Sequence, residues 1–244
     1  MKIDHNLHKF LNGEVFSAAE SFNFKHQFEE EKRVDFLERI VQGKKIIHLG
    51  CLDHVPLIEQ KIKNNNWLHL RLTNNSERCL GFDINDQLEN VKQQFNIDNI
   101  FHSDICSSVE PKIKNEQWDY LIVGEVLEHI DNPVDFLTKL RDNYKGSIKQ
   151  IIITVPNAFD KSRMKLATQG IEYINTDHRF WFSPFTLMKV ATMAGFTPKE
   201  LDMKNRVSLS KIELIKRKMY SKVLNKTMTY PFHYFNTLVL ISDF

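Results

Sequence analysis

The sequence predicts an α/β fold, doubly wound about a mostly parallel sheet, and three observations carry that prediction. Short apolar runs alternate with longer stretches of helical periodicity, the signature of βαβ units. Runs such as Tyr120 to Val123 are apolar throughout rather than alternating, as inner strands buried on both faces are. Small or acidic residues, Gly50, Asp83, Asp104 and Glu125, stand just after successive runs, where open parallel sheets hold their ligands. A chain of 244 residues, 42% of them hydrophobic, can bury one full core of this kind.

Taken in order, Lys25 to Gln42 sets Phe28, Val34, Phe36, Leu37, Ile40 and Val41 among charges and closes at Gly43, an amphipathic helix within an N-terminal helical cap over 1–43. Strands are expected at Lys45 to Leu49, Cys79 to Phe82, Asn99 to Phe101, Tyr120 to Val123 and Lys149 to Val155, with a further pair at Phe196 to Asp202 and Phe235 to Ser242. Helices are expected at His54 to Lys63, Asp86 to Phe95, Val126 to Asn143 and Pro184 to Ala194, the last stopped by Gly195. Gly50 and Asp83 lie further apart than the roughly 20 residues usual in a βαβ unit, so Asn64 to Glu77 holds extra helix or loop.

Composition narrows the function. A formal charge of +2 is too slight for bulk nucleic-acid binding. Cys51, Cys79 and Cys106 have neither zinc-like spacing nor an even number, which fits a reducing, cytoplasmic setting. The opening MKIDHNLHKF lacks the apolar stretch of a signal peptide, and no run reaches membrane-spanning length. Nothing in the sequence specifies an oligomeric state.

The richest segment is WDYLIVGEVLEHIDNPVDFL, Trp118 to Leu137, an apolar strand entering a helix start that carries Glu125, Glu128 and His129. If Val126 onward is helical, the three stand at i, i+3 and i+4 and converge on one face. Singly, each has an ordinary explanation as a helix-start charge or a packed imidazole. Together they mark a site. Gly50 in HLGC lets backbone amides approach a ligand, Asp83 in GFDIN is placed to accept from two ribose hydroxyls, and Asp104 in HSDI to accept from an exocyclic amine, with Ile105 against the ring.

From about Lys44 to the C-terminus the chain resembles the class I S-adenosylmethionine-dependent methyltransferases. The resemblance implies a methyltransferase domain over 44–244 with a seven-stranded sheet whose last strand is antiparallel, and S-adenosylmethionine (SAM) as cofactor. It assigns Gly50 and Cys51 to the glycine motif beside the methionine end, Asp83 and Ile84 to the ribose side, and Asp104 and Ile105 to adenine. Glu125 joins the same cofactor set. His48 stands where relatives carry an acid, and Leu52 and His54 where they carry glycines. EVLEHIDNP and DHRFWFSPFTLMKVATMAGF resemble motifs of small-molecule O-methyltransferases.

A substrate lid is expected over 157–185, where Asn157 and His178 would hydrogen-bond a polyol and Phe180, Trp181 and Phe182 would stack on a sugar or base, core packing being the alternative for the aromatics. The NAF…DHxxWxSPxTL pattern is similar to methyltransferases of surface-polysaccharide and nucleotide-sugar pathways, implying a sugar hydroxyl as acceptor and a nucleotide sugar as partner. The alternatives are an O- or N-methyltransferase for another small metabolite such as a quinone precursor, or an RNA methyltransferase. Lys204 to Lys226 is strongly basic, with Leu209, Ile212, Ile215, Met219 and Val223 at near-helical spacing, so a basic helical insert is expected over 204–230. It reads as a solvated face, a diphosphate clamp, or an anionic-surface patch. For the chemistry two routes stay open: His129 or His178 as general base, with Glu125 and Asn157 beside them, or Mg²⁺ or Mn²⁺ on Glu125, Glu128 and His129 with Asn157 or His178 completing the shell.

Overall fold

The computed structural model describes residues 1–27, 31–207, 215, 219 and 229–244. Seven strands make one sheet: β2 (Lys45–Leu49), β3 (Arg78–Asp83), β4 (Ile100–His102), β5 (Trp118–Gly124), β6 (Ile148–Pro156), β7 (Thr197–Arg206) and β9 (Phe235–Asp243). Their order is β4-β3-β2-β5-β6-β9-β7. The first five run parallel, and β9 lies antiparallel between β6 and β7, as expected.

Strand periodicity splits the core into two layers. Ile46, Ile122, Ile152 and Val239 face α2 (Arg33–Ile40) and α4 (Leu68–Asn75), packing on Phe36, Leu37, Leu68 and Leu72. Ile47, Leu121, Ile151 and Leu240 face the opposite layer, with Leu137 and Leu140 of α7 (Pro133–Tyr144) and Leu187 and Met188 of α9 (Pro184–Met193). Helices on both faces explain why the strands read as unbroken apolar runs. Helix α4 is the extra element expected between Asn64 and Glu77.

Several local expectations are corrected. Lys25–Gln27 is a strand, β1, paired antiparallel with β8 (Thr229–Pro231), so the helix starts only at Arg33; a partner so distant in sequence leaves no trace in local periodicity. His54 to Lys63 is a 3₁₀ turn, Val55–Leu57, leading into α3 (Ile58–Lys63). Val126 does not open a long helix. A 3₁₀ turn at Leu127–His129 is followed by extended Ile130, and α7 starts afresh at Pro133 with the Asn132 side chain accepting from the Asp135 amide. Proline at the first helical position bars the preceding residue from helical backbone, which fixes that start.

The lid segment is also less open than a structureless loop, since it contains α8 (Lys161–Ala167), capped by the Asp160 carboxylate. Strand β7 runs past Asp202, taking Lys204 and Arg206 into the sheet. Lys204 is fully buried, bonded to Glu31 at 2.7 Å and Asp202 at 2.9 Å, and is no part of a solvated basic face. The rest of the expected basic helix falls almost wholly outside the described residues. Among the described residues no helix is long and apolar enough to cross a membrane.

Candidate active site

The carboxyl ends of β2, β3 and β4 lie side by side, so the segments that follow them share one rim of the sheet. After β2 the chain turns left-handed at Gly50 (φ 75°), and the Gly50 amide donates to the Phe82 carbonyl at 2.9 Å. Asp83 at the end of β3 ties the two segments together, accepting from the Leu52 amide on one oxygen and the Asn85 amide on the other, both at 3.0 Å. A carboxylate has about four acceptor positions, so two remain for a ligand. Ile84 beside it is 68% exposed, an apolar face with nothing covering it. Asp104 after β4 is exposed, and its oxygens accept from the Cys106 and Ser107 amides and the Ser107 hydroxyl, organising its own loop.

Three residues expected to touch a cofactor do not present side chains at this rim. Ile105 is fully buried in the main core, so it cannot offer its face to a ring; Ile84 is the exposed apolar residue here. Cys51 is buried, with its thiol pushed well up by desolvation and then by the charge of Asp83, and its backbone is engaged too, the amide with the Phe82 carbonyl and the carbonyl with Trp67 Nε1. His48 points from β2 into the α4 layer, where its ring lies parallel to that of His69 with the two Nδ1 atoms 3.3 Å apart. Burial holds His48 well below the ordinary imidazole range and His69 at about 4, so both are neutral.

At the end of β5 the chain again turns left-handed, at Glu125 (φ 56°), an unusual conformation for a residue with a side chain. That turn aims Glu125 at Arg33, whose Nε lies 3.6 Å from its carboxylate and whose Nη1 lies 3.4 Å from Thr154 Oγ1. The expected trio of Glu125, Glu128 and His129 therefore does not form, because it needed helical spacing from Val126. Glu128 and His129 instead meet His178 from the lid, with one ligand-type atom from each within 4.8 Å of the others.

Each member of this cluster has a distinct state. Glu128 is buried, its Oε2 lacks any partner, and desolvation followed by the charge of Glu125 pushes its carboxyl up to about 8. The Nδ1 of His129 is 2.9 Å from Asp177, and since a carboxylate only accepts, Nδ1 carries the proton and Nε2 is left basic. His178 lies edge-on to His129 with ring centres 4.6 Å apart. Its Nδ1 is buried without a partner, and desolvation, then the neighbouring His129, lowers its pKa. The lid is pinned over the cluster: the amides of Arg179 and Phe180 donate to the Glu128 carbonyl, and the Arg179 guanidinium donates to the His129 carbonyl at 2.7 Å.

Asn157 belongs to the scaffold and not to a substrate contact. It is fully buried, its amide nitrogen donates to the Phe232 and Phe235 carbonyls, and its oxygen accepts from Phe159. Of the lid aromatics, Phe182 is core, while Phe180 is exposed and Trp181 half-buried beside a cavity of about 630 Å³. Arg33 was not singled out in the sequence, yet a cation in the first turn of a helix opposes the helix dipole, a hint of a partner elsewhere.

A family model described as a methyltransferase domain matches residues 24–201. Among solved structures, a SAM-dependent methyltransferase from Archaeoglobus fulgidus aligns with a TM-score of 0.52 at 15% identity, covering 86% of this chain and 92% of that one. Magnesium protoporphyrin IX methyltransferase from Synechocystis, solved with bound SAH, aligns with a TM-score of 0.52 at 12% identity, over 86% of this chain and 81% of that one. The methyltransferase domain of bacterial CtHen1-CN gives 0.52 at 19% identity, over 87% and 98%. No curated protein matches the chain in sequence. At these identities the structural likenesses speak for the fold.

Proposed function

The chain belongs to the methyltransferase domain family and is a SAM-dependent methyltransferase; from that premise we propose that its acceptor is a hydroxyl group activated by Glu128, His129 and His178. The observation that carries the proposal is a pair of buried polar atoms without partners, Glu128 Oε2 and His178 Nδ1, in one three-residue cluster beyond β5. Buried polar groups are almost always satisfied, so two orphans in one cluster call for a missing ligand.

The rim over β2, β3 and β4 suits the cofactor. Asp83 keeps acceptor capacity for ribose hydroxyls, Ile84 offers an apolar face to adenine, Asp104 borders it, and Gly50 lets a ligand approach the backbone without a side chain in the way. SAM supplies, when bound, a methyl group on a sulfonium, and transfer needs an in-line oxygen that has lost its proton. With Nδ1 held by Asp177, His129 Nε2 is the general base that receives the hydroxyl proton as the new carbon–oxygen bond forms. Arg33 neutralises Glu125 at the edge of the site, which limits repulsion on Glu128.

The orphan atoms favour a second form of the same activation, in which Mg²⁺ or Mn²⁺ is held by Glu128, His129 and His178 and acidifies the hydroxyl. As to the acceptor, a nucleotide-linked sugar relied on Asn157 and His178 as polyol contacts, and Asn157 is engaged elsewhere. The cavity beside Trp181 favours the alternative, a quinone-like or phenolic metabolite. A cytoplasmic setting belongs to the same proposal, supported by three free cysteines. The test is calorimetry with SAM followed by methyl transfer to a panel of phenols, nucleotide sugars and RNA. A protein that binds neither SAM nor SAH, or that methylates only RNA, would overturn the proposal.

A further inference from the structure

We propose that the cavity between α8 and the segment leading to Trp181 receives the body of the acceptor, and that this body is a flat, apolar ring system rather than a sugar. The inference rests on the hydroxyl-transfer proposal above and deepens it by naming the walls that hold the acceptor's ring and the edge at which its hydroxyl is presented. The cavity measures about 630 Å³, within the range of small-molecule sites. Its walls are Phe159, Met164, Ala167, Ile171, Tyr173 and Trp181. Phe159, Met164, Ile171 and Tyr173 are 46%, 45%, 49% and 70% exposed, an apolar grouping that a protein leaves open where something binds.

Most of the polar groups in the wall are already engaged. The Arg163 guanidinium pairs through Nη1 with the buried Asp160 and lies 4.7 Å over the Trp181 ring, and its Nε is buried without a partner. Trp181 Nε1 donates to Glu172 at 3.3 Å. Ser183 and Thr186 satisfy each other in the capping box of α9. A sugar placed here would lose water from several hydroxyls and find few partners, and each hydroxyl left unmet weakens binding. An aromatic ring incurs no such cost and stacks on Tyr173, Trp181 or Phe159.

The Trp181 edge of the cavity borders the cluster, although no cluster residue lines the cavity itself. The Trp181 ring lies 5.7 Å from that of His178, nearly perpendicular to it, so the same indole walls the cavity and abuts the candidate base. The acceptor hydroxyl belongs at the Trp181 edge of the cavity, the side nearest His178.

The probes are 2-naphthol and UDP-glucose, titrated into the full-length protein saturated with SAH. The expected result is saturable binding of 2-naphthol with no binding of UDP-glucose, and at least a tenfold loss of naphthol affinity in Ala167→Trp, which fills the cavity, and in Met164→Asp, which polarises an exposed wall position. SAH affinity should be unchanged in both, showing that they fold. Absence of naphthol binding, or naphthol binding indifferent to both variants, would overturn the cavity assignment. Methyl transfer separates this from the hydroxyl proposal. Naphthol that binds in the cavity without being methylated, while amines of similar shape are, removes the hydroxyl proposal and keeps the site; methylated UDP-glucose unaffected by Ala167→Trp removes the site and keeps hydroxyl transfer.

Discussion

Gly50 and Val126 meet so closely that a β-carbon on the glycine would lie 2.5 Å from Val126 Cγ2. The segment after β2 and the turn after β5 are thus fitted to each other at the centre of the sheet's ligand edge, through a residue with φ of 75°. Gly50→Ala should combine the left-handed penalty, about 1–2 kcal/mol, with an overpacking cost of about 1–3 kcal/mol. Urea denaturation should therefore show a loss of roughly 2–5 kcal/mol. Adding Val126→Ala removes only the steric part and should restore about half of it, since neighbours couple. A Gly50→Ala protein as stable as the parent would mean that the two segments are not in contact.

Asp83 faces the ribose side of the proposed cofactor site, and charge-assisted hydrogen bonds to a carboxylate contribute about 1.5–3 kcal/mol. Asp83→Ala should raise the Kd for SAM more than tenfold. Because Asp83 also accepts from Leu52 and Asn85, Asp83→Asn should sit between the two, keeping one acceptor oxygen. Calorimetry on protein with an unaltered circular dichroism spectrum measures both, and unchanged affinity in Asp83→Ala would move the ribose elsewhere.

The central strands were legible because they are buried on both faces, whereas the edge strand β4 is buried only at Ile100: Lys45–Leu49 matches at both ends, and the other parallel strands deviate only at their ends. The order of Gly50, Asp83 and Asp104 along one rim followed from the register. What local sequence could not show is pairing across distance. Arg33 with Glu125, His48 with His69, and Glu128 with His178 each join separate elements, and their geometry comes from packing alone. The misplaced helix at Val126 had a readable remedy. Asn132 followed by Pro133 is a helix start, and giving it more weight than the charge cluster would have put Glu128 and His129 in a turn.

Asn157 tests the separation of scaffold from chemistry. Asn157→Ala removes the two hydrogen bonds that its buried amide donates to the Phe232 and Phe235 carbonyls, each worth about 0.5–1.5 kcal/mol net, so the Tm should fall by several degrees. Below the transition kcat should stay within a few-fold of the parent. A loss of kcat of a hundredfold or more at unchanged Tm would return Asn157 to the site.

Chelation addresses the orphan atoms directly. Dialysis against EDTA should lower activity at least tenfold, and Mg²⁺ or Mn²⁺ should restore it in the parent but not in Glu128→Gln. Full activity in the stripped enzyme would leave His129 Nε2 acting alone as base.

The buried imidazole pair gives stability a pH dependence whose sign is fixed. In the unfolded chain both histidines titrate near 6.5, whereas in the fold burial holds His69 at about 4 and His48 well below its ordinary value. Above pH 6.5 both states are neutral and the pair's contribution is complete. As pH falls from 6.5 towards 4 the unfolded chain gains protons that the fold refuses, and His69 alone then withdraws about 3 kcal/mol. Glu128 acts in the opposite sense. Its carboxyl is raised to about 8, so it stabilises the fold below pH 4.5 and that contribution is lost as pH rises towards 8. The two overlap between pH 4.5 and 6.5, so the measurement belongs in a Glu128→Gln background. There, urea denaturation across that window should show stability falling steeply with acid, and His69→Gln should flatten the slope while lowering stability at pH 7 through the lost contacts with His48 and Asn99. An equal slope in the two proteins would mean that the imidazoles are not buried neutral.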